Sequence, residues 1–191
     1  MKCNFIEKIK SLWYGNPKKD LKMSVNSINI YSDDIITQIT HTLLTDYRVF
    51  EGYTKVVKLA QALGVNILLT TFKDEHVAGM LKFENNEVNL YVNENQSANR
   101  QRFTIAHELG HYILHRDFVQ SHKVSVFYRK DFDNYFDRIE EQANKFAATL
   151  LMPERAVKGL WDIYHSIDVL ATILKVSKQA MYVRLVKLGV I

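Results

Sequence analysis

Three histidines and a glutamate, His107, Glu108, His111 and His115, fall within nine residues of the stretch RQRFTIAHELGHYILHRD. Ionisable groups among apolar neighbours cost desolvation unless they are paired or bound to something. On a helix each residue advances about 100°, so His107 and His111 lie one turn apart on one face and their imidazoles can converge on one ion. Glu108 points about 100° away from His107, beside such a site and not necessarily in contact with the ion. This is the HExxH arrangement, in which two neutral imidazoles hold zinc and the glutamate handles the proton of an attacking water. The flanking Thr104, Ile105, Ala106, Leu109, Tyr112 and Ile113 are uncharged, which predicts a helix buried against a sheet. Gly110 costs a helix about 1 kcal/mol, so its presence predicts a close backbone approach.

A third ligand is needed. His115 falls about 12 Å along the axis from His107, too far to share its ion easily. The longer HExxHxxGxxH spacing fails, because Leu114 and Asp117 occupy the glycine and histidine positions. The segment RIEEQANKFAATLLMP offers a carboxylate instead. Ile139, Ala143, Phe146, Ala147, Leu150 and Leu151 form its apolar stripe, ended by Pro153. Glu140 borders that stripe in line with Ala143, Asn144 and Ala147, whereas Glu141 is rotated outward. A carboxylate beside small alanines on a buried face wants a cation, and this selects Glu140; the plainer alternative is an ion pair with Arg102 or Lys145. Asn144, one turn on, is placed to orient a ligand imidazole or is an ordinary polar position. Glu108 is the candidate general base and acid. For the donor that stabilises an oxyanion, His115, Tyr112, His122, Tyr128 and Tyr135 are all eligible; His115 could equally stand behind a ligand or fill the core.

The elements that must position these groups follow from periodicity. DDIITQITHTLLTDYRVF (33–50) and GYTKVVKLAQALG read as amphipathic helices, the second ending at Gly64. The period then changes: VNILLTTF, HVAGMLKF and EVNLYVN are short β-rich runs separated by turns such as ENNE. They predict a small antiparallel sheet, with EVNLYVN as an edge strand able to pair with an extended substrate. Helices are expected near 99–115, 138–151, 155–164, 168–174 and 178–188. The arrangement is α+β. Between the two ligand-bearing helices, residues 116–137 are rich in aromatics and charges, including Phe118, Phe127, Tyr128, Phe132, Tyr135 and Phe136. That composition suits a lid or specificity loop, or a satellite core.

Composition sets the wider limits. With 47% hydrophobic residues and 24% charged ones the chain can bury a core and is no disordered segment. A net charge of +4 does not announce a nucleic-acid binder. One cysteine, Cys3, excludes an intramolecular disulfide and any multi-cysteine zinc site, and a reducing cytoplasm is the expected home. Glu7, Lys8 and Lys10 interrupt the N-terminal stretch, so it has no signal-peptide core, and no run approaches the ~20 apolar residues of a membrane span. Phe5, Ile6, Ile9, Leu12 and Trp13 could form one helical stripe, packed on the body or docking elsewhere. A polar stretch, 15–27, reads as a linker. The expected division is an N-terminal extension (1–32), a metallopeptidase-like domain (33–153) and a helical C-terminal region (154–191).

Taken together, RQRFTIAHELGHYILH, EEQANKFAATLLMP and LATILKVSKQAMYVRLVKLGVI resemble the ImmA/IrrE family of metallopeptidases from bacteria and their mobile elements. The resemblance covers roughly Tyr53 to Ile191. It implies a zincin-like fold, one zinc held by His107, His111 and Glu140, and Glu108 as the catalytic residue. It also implies a protein substrate, a helix-turn-helix repressor inactivated by cleavage. The last segment itself has a helix-turn-helix outline, with Ser177 as cap of the second helix. Lys175, Lys178, Arg184 and Lys187 could meet phosphates, but DNA binding is the lesser expectation beside a structural or substrate-docking role. The rival function is a repressor-associated module with a degenerate metal site.

Overall fold

The computed structural model describes residues 30–116, 119 and 134–191. It opens with helix α1 (Asp33–Asp46), whose Ile36, Ile39 and Leu43 recur at helical spacing and are buried. α1 ends before the expected Phe50 because Arg48 takes a positive φ of 48°, which reverses the chain and turns Val49 into the core. A short α2 (Val56–Ala62) leads into β1 (Val65–Thr70), β2 (Gly79–Glu84) and β3 (Glu87–Asn93). Then come α3 (Ala98–Leu114), α4 (Asn134–Leu151), α5 (Glu154–Tyr164), α6 (Ile167–Leu174) and α7 (Lys178–Lys187). α3, α6 and α7 are each capped by a serine, Ser97, Ser166 and Ser177, whose side chain accepts a hydrogen bond from a backbone N–H of the first turn.

The α+β class holds, but the sheet is mixed where an antiparallel one was expected. Its order is β1-β3-β2: β2 and β3 form an antiparallel hairpin, and β1 runs parallel to β3. The hairpin follows from ENNE, since Asn85 and Asn86 both adopt positive φ, 52° and 63°, as a tight two-residue turn requires. EVNLYVN is therefore the central strand, not an edge. It is suited to the centre because both of its faces are covered. Val88, Leu90 and Val92 enter the core, while the buried Asn89 and Asn93 find partners in Asn66, Glu84 and the Val77 carbonyl. The edges are β1 and β2.

α3 lies across β2 and β3, and α4 lies along α3. Two glycines set these distances. A Cβ on Gly79 would collide with Thr104 Cγ2 and come within 3.9 Å of Glu108 Cγ, so β2 reaches the helix only with glycine there. A Cβ on Gly110 would stand 3.1 Å from Ala143 Cα and 3.2 Å from Phe146 Cδ1, which is the close approach expected of that glycine. One apolar core runs from Ile36 through the sheet to Leu170, Leu174, Met181 and Leu185 of the last two helices. Among the described residues no helix is long and apolar enough to cross a membrane.

Candidate metal centre

The tight α3–α4 contact brings His107, His111 and Glu140 together. His107 Nε2 and His111 Nε2 are 3.0 Å apart, and the Glu140 carboxylate straddles them, Oε2 3.3 Å from His107 Nε2 and Oε1 3.2 Å from His111 Nε2. Glu140 pairs with neither Arg102 nor Lys145. Arg102 donates to the Thr54 and Lys175 carbonyls, and Lys145 pairs with Asp33. Glu141 faces solvent.

The donor set fits a zinc ion. Ligands held ~2.0–2.1 Å from a tetrahedral ion lie about 3.3 Å from one another, close to the three separations seen here. Glu140 Oε1 is buried without an aligned hydrogen-bond donor among the described residues, although an imidazole nitrogen stands beside it. A buried carboxylate oxygen left in that condition is costly unless a cation sits between it and the imidazoles. His107 Nδ1 lies 3.1 Å from Asn144 Oδ1, an acceptor, so the ring donates there and turns the lone pair of Nε2 toward the site.

Electrostatics agree with a cation site. Burial works against charge on Glu140, but the adjoining His107 and His111 imidazoles outweigh it and hold its carboxyl well below the usual range. Burial likewise works against a charged His107, yet Glu140, Glu108 and Asn144 outweigh it and raise its pKa. Glu108 is buried, next along the helix from His107 and beside Gly79 of β2.

Residues 60–186, from α2 through α7, match the model of the IrrE N-terminal-like domain, Peptidase_M78. The chain belongs to the Peptidase_M78 family. Immunity region protein 2 of Bacillus phage phi105 is 24% identical to this M78 chain over 138 residues, covering 72% of it and 80% of the phage protein. Metallopeptidase ImmA of Bacillus subtilis (strain 168) is 30% identical over 78 residues, covering 40% of this chain and 43% of that protein. A Mycobacterium tuberculosis transcriptional regulator shares the fold, with a TM-score of 0.59 at 18% identity over 81% of this chain and 47% of the regulator.

The remaining candidates fall in different places. Asn144 is at the site, as the helical spacing predicts. Tyr112 is 4% exposed and packs its ring against Phe83 and beneath Arg116, so its ring serves the core. His115 is 3% exposed and lies behind His111, its Nδ1 3.3 Å from His111 Nδ1 and its Nε2 3.0 Å from Gln142 Oε1. Burial pushes its pKa down to about 4, with the neighbouring His111 adding to the effect. His122, Tyr128, the side chain of Tyr135 and nearly all of the expected lid lie outside the described residues. Sequence reasoning missed Gln142, hidden as one more polar residue in EEQAN, and Gly79, whose importance depends on which strand stands beside α3.

The C-terminal helices have the expected helix-turn-helix outline, with Lys175 at φ 55° in place of a turn glycine. Three of the four candidate cations are engaged within the protein, and Lys187 is exposed. Lys178 pairs with Asp168, the Lys175 ammonium lies 3.9 Å from the centre of the Tyr53 ring, and Arg184 is 5% exposed with its Nε donating to the Met152 carbonyl. Arg184 is thus a packing residue and no phosphate contact.

Proposed function

We propose that this chain is a zinc-dependent endopeptidase that cleaves a protein substrate, a helix-turn-helix transcriptional regulator, in the cytoplasm. The observation that carries the reading is the convergence of His107 Nε2, His111 Nε2 and Glu140 at the spacing of tetrahedral ligands, with Glu108 buried beside them. Bound by those three residues, zinc would supply a Lewis acid that acidifies water and polarises a scissile carbonyl. Glu108, which is not one of the ligands, takes the proton of the attacking water and delivers it to the leaving amine. Asn144 holds His107 in the tautomer that offers Nε2. An extended substrate pairs with β2, the edge strand whose Gly79 lies against Glu108.

The substrate class draws support from the names of relatives, a metallopeptidase and a phage immunity-region protein, and from the regulator that shares the fold. In this reading residues 33–153 form the peptidase unit and 154–191 dock the substrate. The engagement of Lys175, Lys178 and Arg184 within the protein weighs against DNA as the ligand of those helices. The test is to mix the zinc-loaded chain with helix-turn-helix regulators, beginning with any encoded in a neighbouring reading frame, and identify products by mass spectrometry. Glu108→Gln should keep its metal and lose cleavage by orders of magnitude. Equal cleavage by metal-loaded Glu108→Gln protein would overturn the mechanism.

A further inference from the structure

His115 supplies no ligand to the site, yet it is buried one turn beyond His111 with both ring nitrogens in contact. The direction of each of those contacts can be worked out from a fixed end. The Tyr31 backbone carbonyl can only accept, and it stands 2.7 Å from Gln142 Nε2. The Gln142 amide is thereby oriented, with its Oε1 turned to His115. An amide oxygen also only accepts, so the proton between Gln142 and His115 sits on His115 Nε2. Buried between an amide and a second imidazole, His115 is neutral and has one N–H, which leaves its Nδ1 a bare lone pair. The contact of two Nδ1 atoms at 3.3 Å needs one proton, and only His111 can provide it.

We propose that the Tyr31 carbonyl, Gln142 and His115 form a hydrogen-bond relay that fixes His111 as the Nδ1–H tautomer, so that its Nε2 always presents a lone pair to the metal site. His115 and Gln142 are positioning residues in this account, acting through His111. The proposal rests on the reading of His107, His111 and Glu140 as a metal site. It explains why an ionisable ring is kept in the core, and why the chain before α1 bears on the site. Tyr31 immediately precedes the Ser32 cap of α1, and the Lys145–Asp33 pair, 2.6 Å, ties the start of that helix to α4. His107 Nδ1 meets Asn144 at the protein surface, whereas His111 is held by a chain that runs from Tyr31, just before α1, through Gln142 of α4 to His115 at the end of α3.

The test begins with the full chain, 15N-labelled and metal-free. Long-range proton–nitrogen correlation spectra should find His111 protonated on Nδ1 and His115 on Nε2. His115→Phe removes the acceptor and retains bulk. His111 should then populate both tautomers, and zinc affinity measured by chelator competition should fall about 10–100-fold. His115→Asn, which can place Oδ1 near the lost Nδ1, should restore most of that affinity. Gln142→Leu should produce the same tautomer mixing with a smaller loss, and it keeps the question answerable if His115→Phe fails to fold. His111 protonated on Nε2 in the wild-type chain would overturn the relay, as would unchanged zinc affinity and tautomer in His115→Phe. A wild-type chain that shows the two expected protonation sites but binds no zinc would support the relay and sink the metal reading.

Discussion

Replacing Gly110 by alanine sets two effects of known size against each other. Alanine is favoured over glycine in a helix interior by about 1 kcal/mol. The added methyl would stand 3.1 Å from Ala143 Cα, 3.2 Å from Phe146 Cδ1 and 3.3 Å from Ala143 O, where carbon contacts are most favourable at about 3.5–4.0 Å. Two of those atoms are backbone of α4 and the third belongs to a fully buried ring, so no flexible side-chain end can yield. Overpacking of that kind costs roughly 1–3 kcal/mol, and the net expectation is a loss of about 1 kcal/mol, or a Tm lower by about 2–4 °C. The consequence for the site is sharper. Glu140 lies one turn before Ala143, and a displacement of α4 by a few tenths of an ångström moves it away from His107 and His111. Zinc affinity should drop about tenfold, the low end of what losing an outer partner of a metal site costs. Thermal unfolding of the metal-free chain and chelator competition measure the two effects separately. Gly159→Ala is the control: its Cβ meets nothing within 4 Å on the exposed side of α5, so the same substitution should stabilise by about 0.5–1 kcal/mol. If Gly110→Ala gains stability like Gly159→Ala and keeps full zinc affinity, the idea that Gly110 sets the α3–α4 spacing is wrong.

Glu140→Ala should abolish stoichiometric zinc in elemental analysis while Glu141→Ala keeps it; the opposite pattern would move the third ligand. Tyr53 should ionise near 8, ahead of the usual ~10, because hydrogen bonds from Lys55 and Lys175 favour its phenolate. Since the folded chain then releases that proton before the unfolded one does, stability should rise with pH between about 8 and 10. Absorbance titration of wild type and Tyr53→Phe checks both statements, and the rise should vanish in the variant. Arg184→Ala should destabilise by about 1–3 kcal/mol by leaving the Met152 carbonyl unpaired in the core, whereas Lys178→Ala should change stability by less than about 1 kcal/mol. Denaturant titrations that rank the two the other way would return Arg184 to the surface.

What could be read from the sequence was local in origin. The i, i+4 pair His107/His111, the border position of Glu140 on its stripe, the ENNE turn and the Ser177 cap each depend on a few consecutive residues and a helical or strand period, and each stands where that period puts it. Strand order does not have this property. EVNLYVN was expected at an edge, yet its Asn89 is satisfied sideways by Asn66 and Glu84 of the two neighbouring strands. An amide buried on a strand reports a partner on either side, a signal that favours the centre of a sheet. Arg184 misled for the same reason: a cation on a terminal helix is read as solvated until a distant carbonyl, that of Met152, is seen to receive it.

The same distinction runs through the metal centre itself. Spacing on α3 brings two imidazoles to one face, but it does not decide which nitrogen of either ring carries the proton, and an imidazole protonated on the inward nitrogen is no ligand. That choice is made by groups far away in sequence, Asn144 for His107 and the Gln142–Tyr31 end of the chain for His111. An HExxH segment lifted from its context would keep its geometry and lose its tautomers. The packing of α4 against α3, with Tyr31 before α1 holding Gln142, therefore adds more than support. It converts a pair of histidines with suitable spacing into a pair of lone pairs aimed at one point, and the Glu140 carboxylate closes that point from the same helix that carries Asn144 and Gln142.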